Sequence, residues 1–415
     1  MLQSGAAMSG YNRLMARFEA RFGSREIFPD LEPRAYLNHA AMSPWSLAVR
    51  EAMRACMDDY GRRGLGAFFS WHEQRKRLKD KLATLVGGAP DDLAFVSSTT
   101  EGLVKIALCF PWERGDRVVV FDGEFPTNVT PWQRAAELYE LEIVMLSASE
   151  FRVDKERALE RFSEALERGV RLVAVSTIEF QTGFRMPVLE LSLRCHAAGA
   201  EICVDAIQGL GAVPMDVVVE GIDYLVCGSH KWMMAIDGIA FVYAAADKAA
   251  ALRPHVAGWL SHESPVAFLL EGPGNLRYDR PIRTSIDFLE SGSFSTVGCA
   301  ALEASLDLLL QLSPEAIFDH VNGYLDMLEP KLVQLGFESL RSAKREQRSG
   351  ILSLAPPTDV DARAIQKAIA EAGIFCTAPD GYLRFSPHWP NALDEIEYVV
   401  ASVEASITAA STGAR

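Results

Sequence analysis

The sequence predicts an α/β fold, a mostly parallel seven-stranded sheet wrapped by helices, followed by a smaller C-terminal α+β domain. Two observations carry this. Between about residues 85 and 245, seven short apolar runs (LAFVS, RVVVF, LEIVML, RLVAVS, EICVDA, DYLVCG and GIAFVYA) alternate with amphipathic stretches, the alternation of a sheet with helices on its faces. Beyond residue 292 the pattern changes to longer helical stretches with only two isolated strand-like runs, SGILSLAP and YLRFS. A chain of 415 residues is also long enough for about two domains.

In chain order, residues 1–35 read as a helical N-terminal segment packing on the smaller domain, residues 36–290 as the large domain and residues 291–415 as the small one. Within the large domain, helices are expected at Pro131–Glu140, Asp154–Arg168 and Val188–Ala198. Residues 261–292 are rich in Gly, Pro and charge and read as a long excursion. Helices at Cys299–Leu312, Ile317–Leu335, Ala362–Ala372 and Leu393–Thr408 then surround the two late strands.

Composition narrows the partners. With 49% apolar and 23% charged residues the chain is of ordinary globular composition. A net charge of −14 and the absence of a Lys/Arg stripe argue against nucleic acid. No apolar run approaches a membrane span or a secretory signal, so no membrane partner and a cytoplasmic location are expected. The seven cysteines are scattered singly, without a CxxC pair or a cysteine–histidine spacing suited to zinc; they read as buried reduced thiols, and no metal is expected.

In a mostly parallel sheet the ligand crevice lies beyond the carboxyl ends of the strands. Two strand ends stand out there: Asp205 closes EICVD, and Lys231 follows DYLVCG 26 residues later. Singly they would be a helix cap and a solvated cation. Together they supply what pyridoxal phosphate requires, an amine to hold it as a Schiff base and a carboxylate to keep its ring nitrogen protonated. Gln208, three residues after Asp205, has an amide that could donate to the ring's phenolic oxygen. His230 and Ser229 beside the lysine offer phosphate donors. Thr99 and Thr100, where LAFVS runs into a helix, form a second anion site of hydroxyls and free amides, with a plain helix cap as the rival reading. Phe125, in the loop after RVVVF, could stack on the ring.

From about Tyr36 to the last helix, the ordered segments YLNHAAMSP, SSTTEG, EFPTNVTPW, EFQTGF, DAIQGLG, GSHKW, ESGSFST and YLRFSPHW resemble the class V aminotransferase family of pyridoxal-phosphate enzymes. That family lies within fold type I, with cysteine desulfurases and kynureninase. The resemblance implies that Lys231 is the Schiff-base lysine, Asp205 the partner of the ring nitrogen, Gln208 the neighbour of the phenolic oxygen, and Thr100 and His230 the holders of phosphate. It implies that Ser293 reaches the phosphate across the interface of a homodimer with shared active sites. It implies Arg384 and Asn38 as substrate contacts, with Arg384 gripping a carboxylate in the bidentate manner that suits a guanidinium. The sequence departs from the pattern at three places: Phe125 stands for a stacking histidine, Phe180 for an asparagine near the ring, and Gly228 for a serine. No cysteine occurs in TAPDGYL, the segment before Arg384 where desulfurases carry their reactive thiol.

The reading is an aminotransferase acting on a small amino acid or amine. The alternative is a Cβ or Cγ lyase for cysteine-like or kynurenine-like substrates, and a third reading is a protein that binds the cofactor without turnover.

Overall fold

The computed structural model describes residues 11–413, with side chains as far as Ile407. After a two-residue strand β1 (Ala35–Tyr36) come β2 (Leu93–Val96), β3 (Arg117–Asp122), β4 (Glu142–Ser147), β5 (Val170–Ser176), β6 (Glu201–Asp205), β7 (Tyr224–Gly228) and β8 (Ala240–Ala244). The last seven form one sheet in the order β2-β8-β7-β6-β5-β3-β4, so each apolar run of the sequence is a strand. Only β8 runs against its neighbours, antiparallel to both β7 and β2. Because β8 reverses direction twice, β2 points the same way as β7, and the carboxyl ends of β2, β3, β5, β6 and β7 share one edge.

Residues alternate between the faces of a strand with period two, and both faces of this sheet are apolar. Val119 and Phe121 of β3, Val173 and Val175 of β5, and Leu225 and Cys227 of β7 enter one core. Val118, Val120, Leu172, Ala174, Tyr224 and Val226 enter another, closed by Leu103 and Ile106 of the Thr99–Cys109 helix and by Trp132 of the Thr130–Tyr139 helix. Burial on both faces explains why the strands read as continuous apolar runs instead of alternating ones.

The first core continues into the C-terminal portion through Val321, Leu352, Leu383, Phe385 and Ile396. There β9 (Glu338–Ser339), β10 (Leu352–Ala355) and β12 (Leu383–Phe385) form an antiparallel sheet, and β11 (Ile374–Phe375) pairs in parallel with β1. The Thr296–Leu312 helix packs on the Leu47–Arg63 and Phe68–Val86 helices.

The expected N-terminal helix is corrected. Among the described residues of 1–35, only 11–15 are helical and the rest run as irregular chain and turns up to β1, while 1–10 lie outside the described residues. Gly23 at φ +68 takes a conformation few other residues adopt without cost, and Pro29 and Pro33 cannot continue a helix. The segment is fixed by tertiary bonds: Tyr11 Oη donates to Asp307 (2.6 Å), Ala20 N to Gln311 Oε1 (3.2 Å) and Gly23 N to Trp389 O (2.8 Å). The excursion after β8 carries only short helical turns at Trp259–Ser261, Ala267–Leu270 and Ile286–Leu289. No single helix among the described residues is long and apolar enough to cross a membrane.

One glycine sets how closely the first helix after β2 approaches the sheet: a Cβ on Gly102 would lie 2.5 Å from Val226 Cγ1 and 3.0 Å from Val242 Cγ2. Gly102→Ala should therefore overpack this contact, at about 1–3 kcal/mol. A thermal scan is expected to show the unfolding midpoint lowered by at least about 2 °C; an unchanged midpoint would mean the helix can move off β7 freely.

Candidate active site

The shared edge gathers the expected residues. A cavity of about 660 Å³ opens there, walled by Ser98, Thr99 and Thr100 after β2, Phe125 and Thr127 after β3, and Ser176 at the end of β5. Asp205, Ile207 and Gln208 after β6, and His230 and Lys231 after β7, continue the wall. Thr377, Ala378, Pro379 and Arg384 close it from the C-terminal portion, and Ala40 and Ala41 from the N-terminal turn.

Lys231 sits in a turn that leaves β7, with Nζ 5.6 Å from the centre of the Phe125 ring. Burial pulls its amine down to about 8, opposed by the negative charge of Asp205 and reinforced by the positive charge of Arg384. Asp205 is 2% exposed and accepts from Ile207 N at 2.9 Å. Burial raises its carboxyl to about 6, against the pull of that bond and of Lys231, so it remains mainly ionised at neutral pH. Gln208 is held on two sides: its Nε2 donates to Ala40 O (3.2 Å) and its Oε1 accepts from Trp232 Nε1 (3.2 Å). An amide nitrogen carries two protons, which leaves one for the cavity.

The anion end is built by the Thr99–Cys109 helix. Ser98 caps it, its Oγ accepting from Glu101 N at 3.1 Å. The first amides of a helix have no partner within it, and its dipole adds positive potential there. Thr99 is 5% exposed, and its Oγ1 has no hydrogen-bond partner. A buried hydroxyl without a partner is costly, and this one lines the cavity. Thr100 Oγ1 is bonded to Thr127 Oγ1. His230 lies across from them, its imidazole kept neutral by burial and by the neighbouring Lys231. At Gly228, a Cβ would stand 2.9 Å from Thr99 Oγ1, so the glycine makes room for that hydroxyl.

Two expectations are changed by the geometry. Ser229 does not line the cavity; it is fully buried and its hydroxyl donates to Ile236 O at 2.6 Å. Asn38 is also off the wall, because the backbone bridge from Asn38 to Ser386 presents Ala40 and Ala41 to the cavity instead. Ser293, expected to serve a partner's site and not its own, is exposed and does not line its own chain's cavity. Phe125 is half-exposed and meets Phe180 edge-on, with ring centres 5.4 Å apart at 85°.

Arg384 is 4% exposed. Its Nε donates to Thr377 Oγ1 at 3.1 Å and its Nη1 to Phe180 O, but it has no carboxylate partner among the described residues. Burial lowers its guanidinium to about 10, so it stays charged, and Asp205, the carboxylate that shares the cavity wall, makes no ion pair with it. The sequence reading missed Thr127, Ser176, Ile178 and Ile207, which line the cavity; their only signal was a position just past a strand end.

An orphaned hydroxyl and open helix amides at one end, a lysine with depressed pKa in the middle and a buried carboxylate below fit pyridoxal phosphate. The wider comparisons agree. The chain is 23% identical over 386 residues to an uncharacterised aminotransferase, YcbU, of Bacillus subtilis (strain 168), covering 92% of this chain and 96% of that protein. It is 26% identical over 404 residues to a probable cysteine desulfurase of Methanothermobacter thermautotrophicus, covering 92% and 96%. In fold it is similar to a cysteine desulfurase of Thermococcus onnurineus NA1, with TM-score 0.77, 21% identity and coverage of 90% and 95%. It is likewise similar to the cystine C–S lyase C-DES in complex with cysteine persulfide, with TM-score 0.81, 20% identity and coverage of 91% and 99%. Residues 35–382 match the aminotransferase class-V family, and the chain belongs to that family of pyridoxal-phosphate-dependent, fold type I enzymes.

Proposed function

We propose that the protein transaminates a small α-amino acid whose carboxylate is held by Arg384. The observation that carries this reading is the buried guanidinium that has no anionic partner among the described residues, in the same cavity as Lys231. Charge-assisted bidentate bonds to a carboxylate complete such a group. Bound pyridoxal phosphate supplies an electron sink for cleavage of a bond at the substrate's Cα. The residues of this chain do the rest. Thr99, Thr100, the open helix amides and His230 hold the phosphate, Asp205 keeps a proton on the ring nitrogen, and Gln208 offers its free N–H to the phenolic oxygen. Lys231 holds the cofactor through its amine and, once displaced by substrate, moves the proton at Cα, a role that suits a pKa of about 8.

A lyase reading stands second, because several of the relatives matched are named cysteine desulfurases. Any elimination here would proceed without a protein thiol. All seven cysteines are buried, and burial pushes the thiol of Cys376, which precedes the wall residue Thr377, up to about 12. Loaded protein given a panel of α-amino acids with an oxo-acid acceptor distinguishes the two. Accumulation of the matching oxo acid supports transamination, whereas pyruvate with ammonia or sulfide from cysteine or cystine supports elimination.

We further infer a homodimer in which Ser293 serves the partner's site. Its exposure, and the exposed apolar side chains of Trp259, Leu269, Leu270 and Tyr278 in the neighbouring excursion, support this.

Arg384→Gln should lower kcat/KM for an α-amino acid by about 100-fold, the size of a lost charge-assisted interaction of about 2–3 kcal/mol. The same substitution should leave turnover of the corresponding amine without a carboxylate little changed; equal losses for both would remove Arg384 from carboxylate recognition. The neutral form of Lys231 is the nucleophile that captures the cofactor's aldehyde. The rate of pyridoxal phosphate uptake by cofactor-free protein, followed by absorbance, should therefore rise about tenfold per pH unit below 8 and level off above it. A rate that keeps rising tenfold per unit through pH 9 without levelling would contradict a depressed lysine.

A further inference from the structure

The turn that carries Lys231 has its backbone carbonyls bonded one after another. Ser229 O accepts from Ala235 N (3.0 Å), His230 O from Ser43 N (2.8 Å), and Lys231 O from Met234 N (2.9 Å) and from Ser43 Oγ (2.6 Å). Trp232 O is bonded to His388 Nε2 (2.9 Å), and Met233 O accepts from Ser305 Oγ (2.6 Å). Three remote parts of the chain supply the outside donors: the turn after β1, the segment after β12 and the Thr296–Leu312 helix. Within the turn, Met234 sits at φ +52, a conformation that surrounding bonds must impose on a non-glycine residue.

The two histidines have assigned protons by exclusion. His388 Nδ1 accepts from Trp389 N (2.8 Å), so its proton lies on Nε2 and is donated to Trp232 O. The single hydroxyl proton of Ser43 goes to Lys231 O, so His39 Nδ1, 2.7 Å from Ser43 Oγ, donates to that oxygen. Both rings are buried, 5.2 Å apart, and both are held neutral by burial, His388 at about 3. They therefore act as fixed donors.

We propose that Ser43, oriented by His39, is a positioning residue for Lys231. By donating to the carbonyls of both His230 and Lys231, it fixes the backbone from which the lysine reaches into the cavity. Ser43 does not line the cavity, so it acts only through Lys231. The inference rests on Lys231 holding the cofactor, not on which reaction follows. Fixing a reacting group in advance avoids the cost of ordering it during reaction.

The test uses cofactor-free full-length protein and pyridoxal phosphate, reading the rate of uptake by visible absorbance and the induced circular dichroism of the bound cofactor. Lys231→Ala is the control; if it gives the wild-type absorbance, the assignment of Lys231 fails, separately from the role of Ser43. Ser43→Ala is expected to slow uptake at least tenfold and to weaken the induced dichroism while the far-ultraviolet spectrum is kept. His39→Leu should behave like Ser43→Ala. His39→Asn, whose amide can replace the Nδ1 donor, should return the rate to within about threefold of wild type, a rescue that a merely structural role would not give. The two His39 variants carry the comparison if Ser43→Ala does not fold. Uptake at the wild-type rate with unchanged dichroism in Ser43→Ala or His39→Leu, or equal losses in His39→Asn and His39→Leu, would overturn the proposal.

Discussion

An amine with its pKa brought down toward neutrality inside a protein is the constraint on which the rest of this structure depends. Lys231 must be desolvated enough to act as a base, yet it lies near a second cation, Arg384. The compensating charge comes from Asp205, itself so buried that its own carboxyl is pushed up. Each of the three would be costly alone in this environment. The sheet makes the arrangement possible, because parallel strands deliver residues from distant parts of the chain to one edge, where helix amides and a cavity replace lost water. The apolar packing on both faces of the sheet then holds that edge rigid, as preorganised chemistry requires.

The division of labour follows the fold. The groups proposed to meet the cofactor come mostly from strand ends of the sheet, whereas Arg384 and the Thr377–Pro379 wall come from the C-terminal portion. The two are joined at Phe180, whose carbonyl accepts from Arg384 and whose ring meets Phe125. A residue that replaces an asparagine of the family pattern thus links Arg384 to the Phe125 ring.

Much of this was legible in the sequence because period and punctuation are local. Seven apolar runs gave seven strands, Asp205, Lys231, Gln208 and Thr99 were found by their places at strand ends, and Arg384, inside β12, was found through the family resemblance. What failed were inferences about direction and partner. Ser229 has a hydroxyl at a plausible position, but a two-residue step along the turn aims it at Ile236 O, away from the cavity. The N-terminal segment reads as helical, yet its glycine and prolines, and bonds to residues far away in the chain, make it irregular. His39, Ser43 and His388 were quoted within motifs without a role, because their partners are backbone carbonyls that no pattern of side chains reveals.

The pairing of β1 with β11 has a consequence for how the protein is made. Ala40 N bonds to Ser386 Oγ across 346 residues, and Asn391 Nδ2 to Tyr36 O across 355. Contacts of such separation carry the largest loop-closure cost and form late. During synthesis the sheet can assemble behind the ribosome while the turn after β1 still waits for the last strand. The turn that braces Lys231 is thus itself tied down only when the segment after β12 reaches it, which makes that late segment, and not the sheet, the last part of the lysine's support to form.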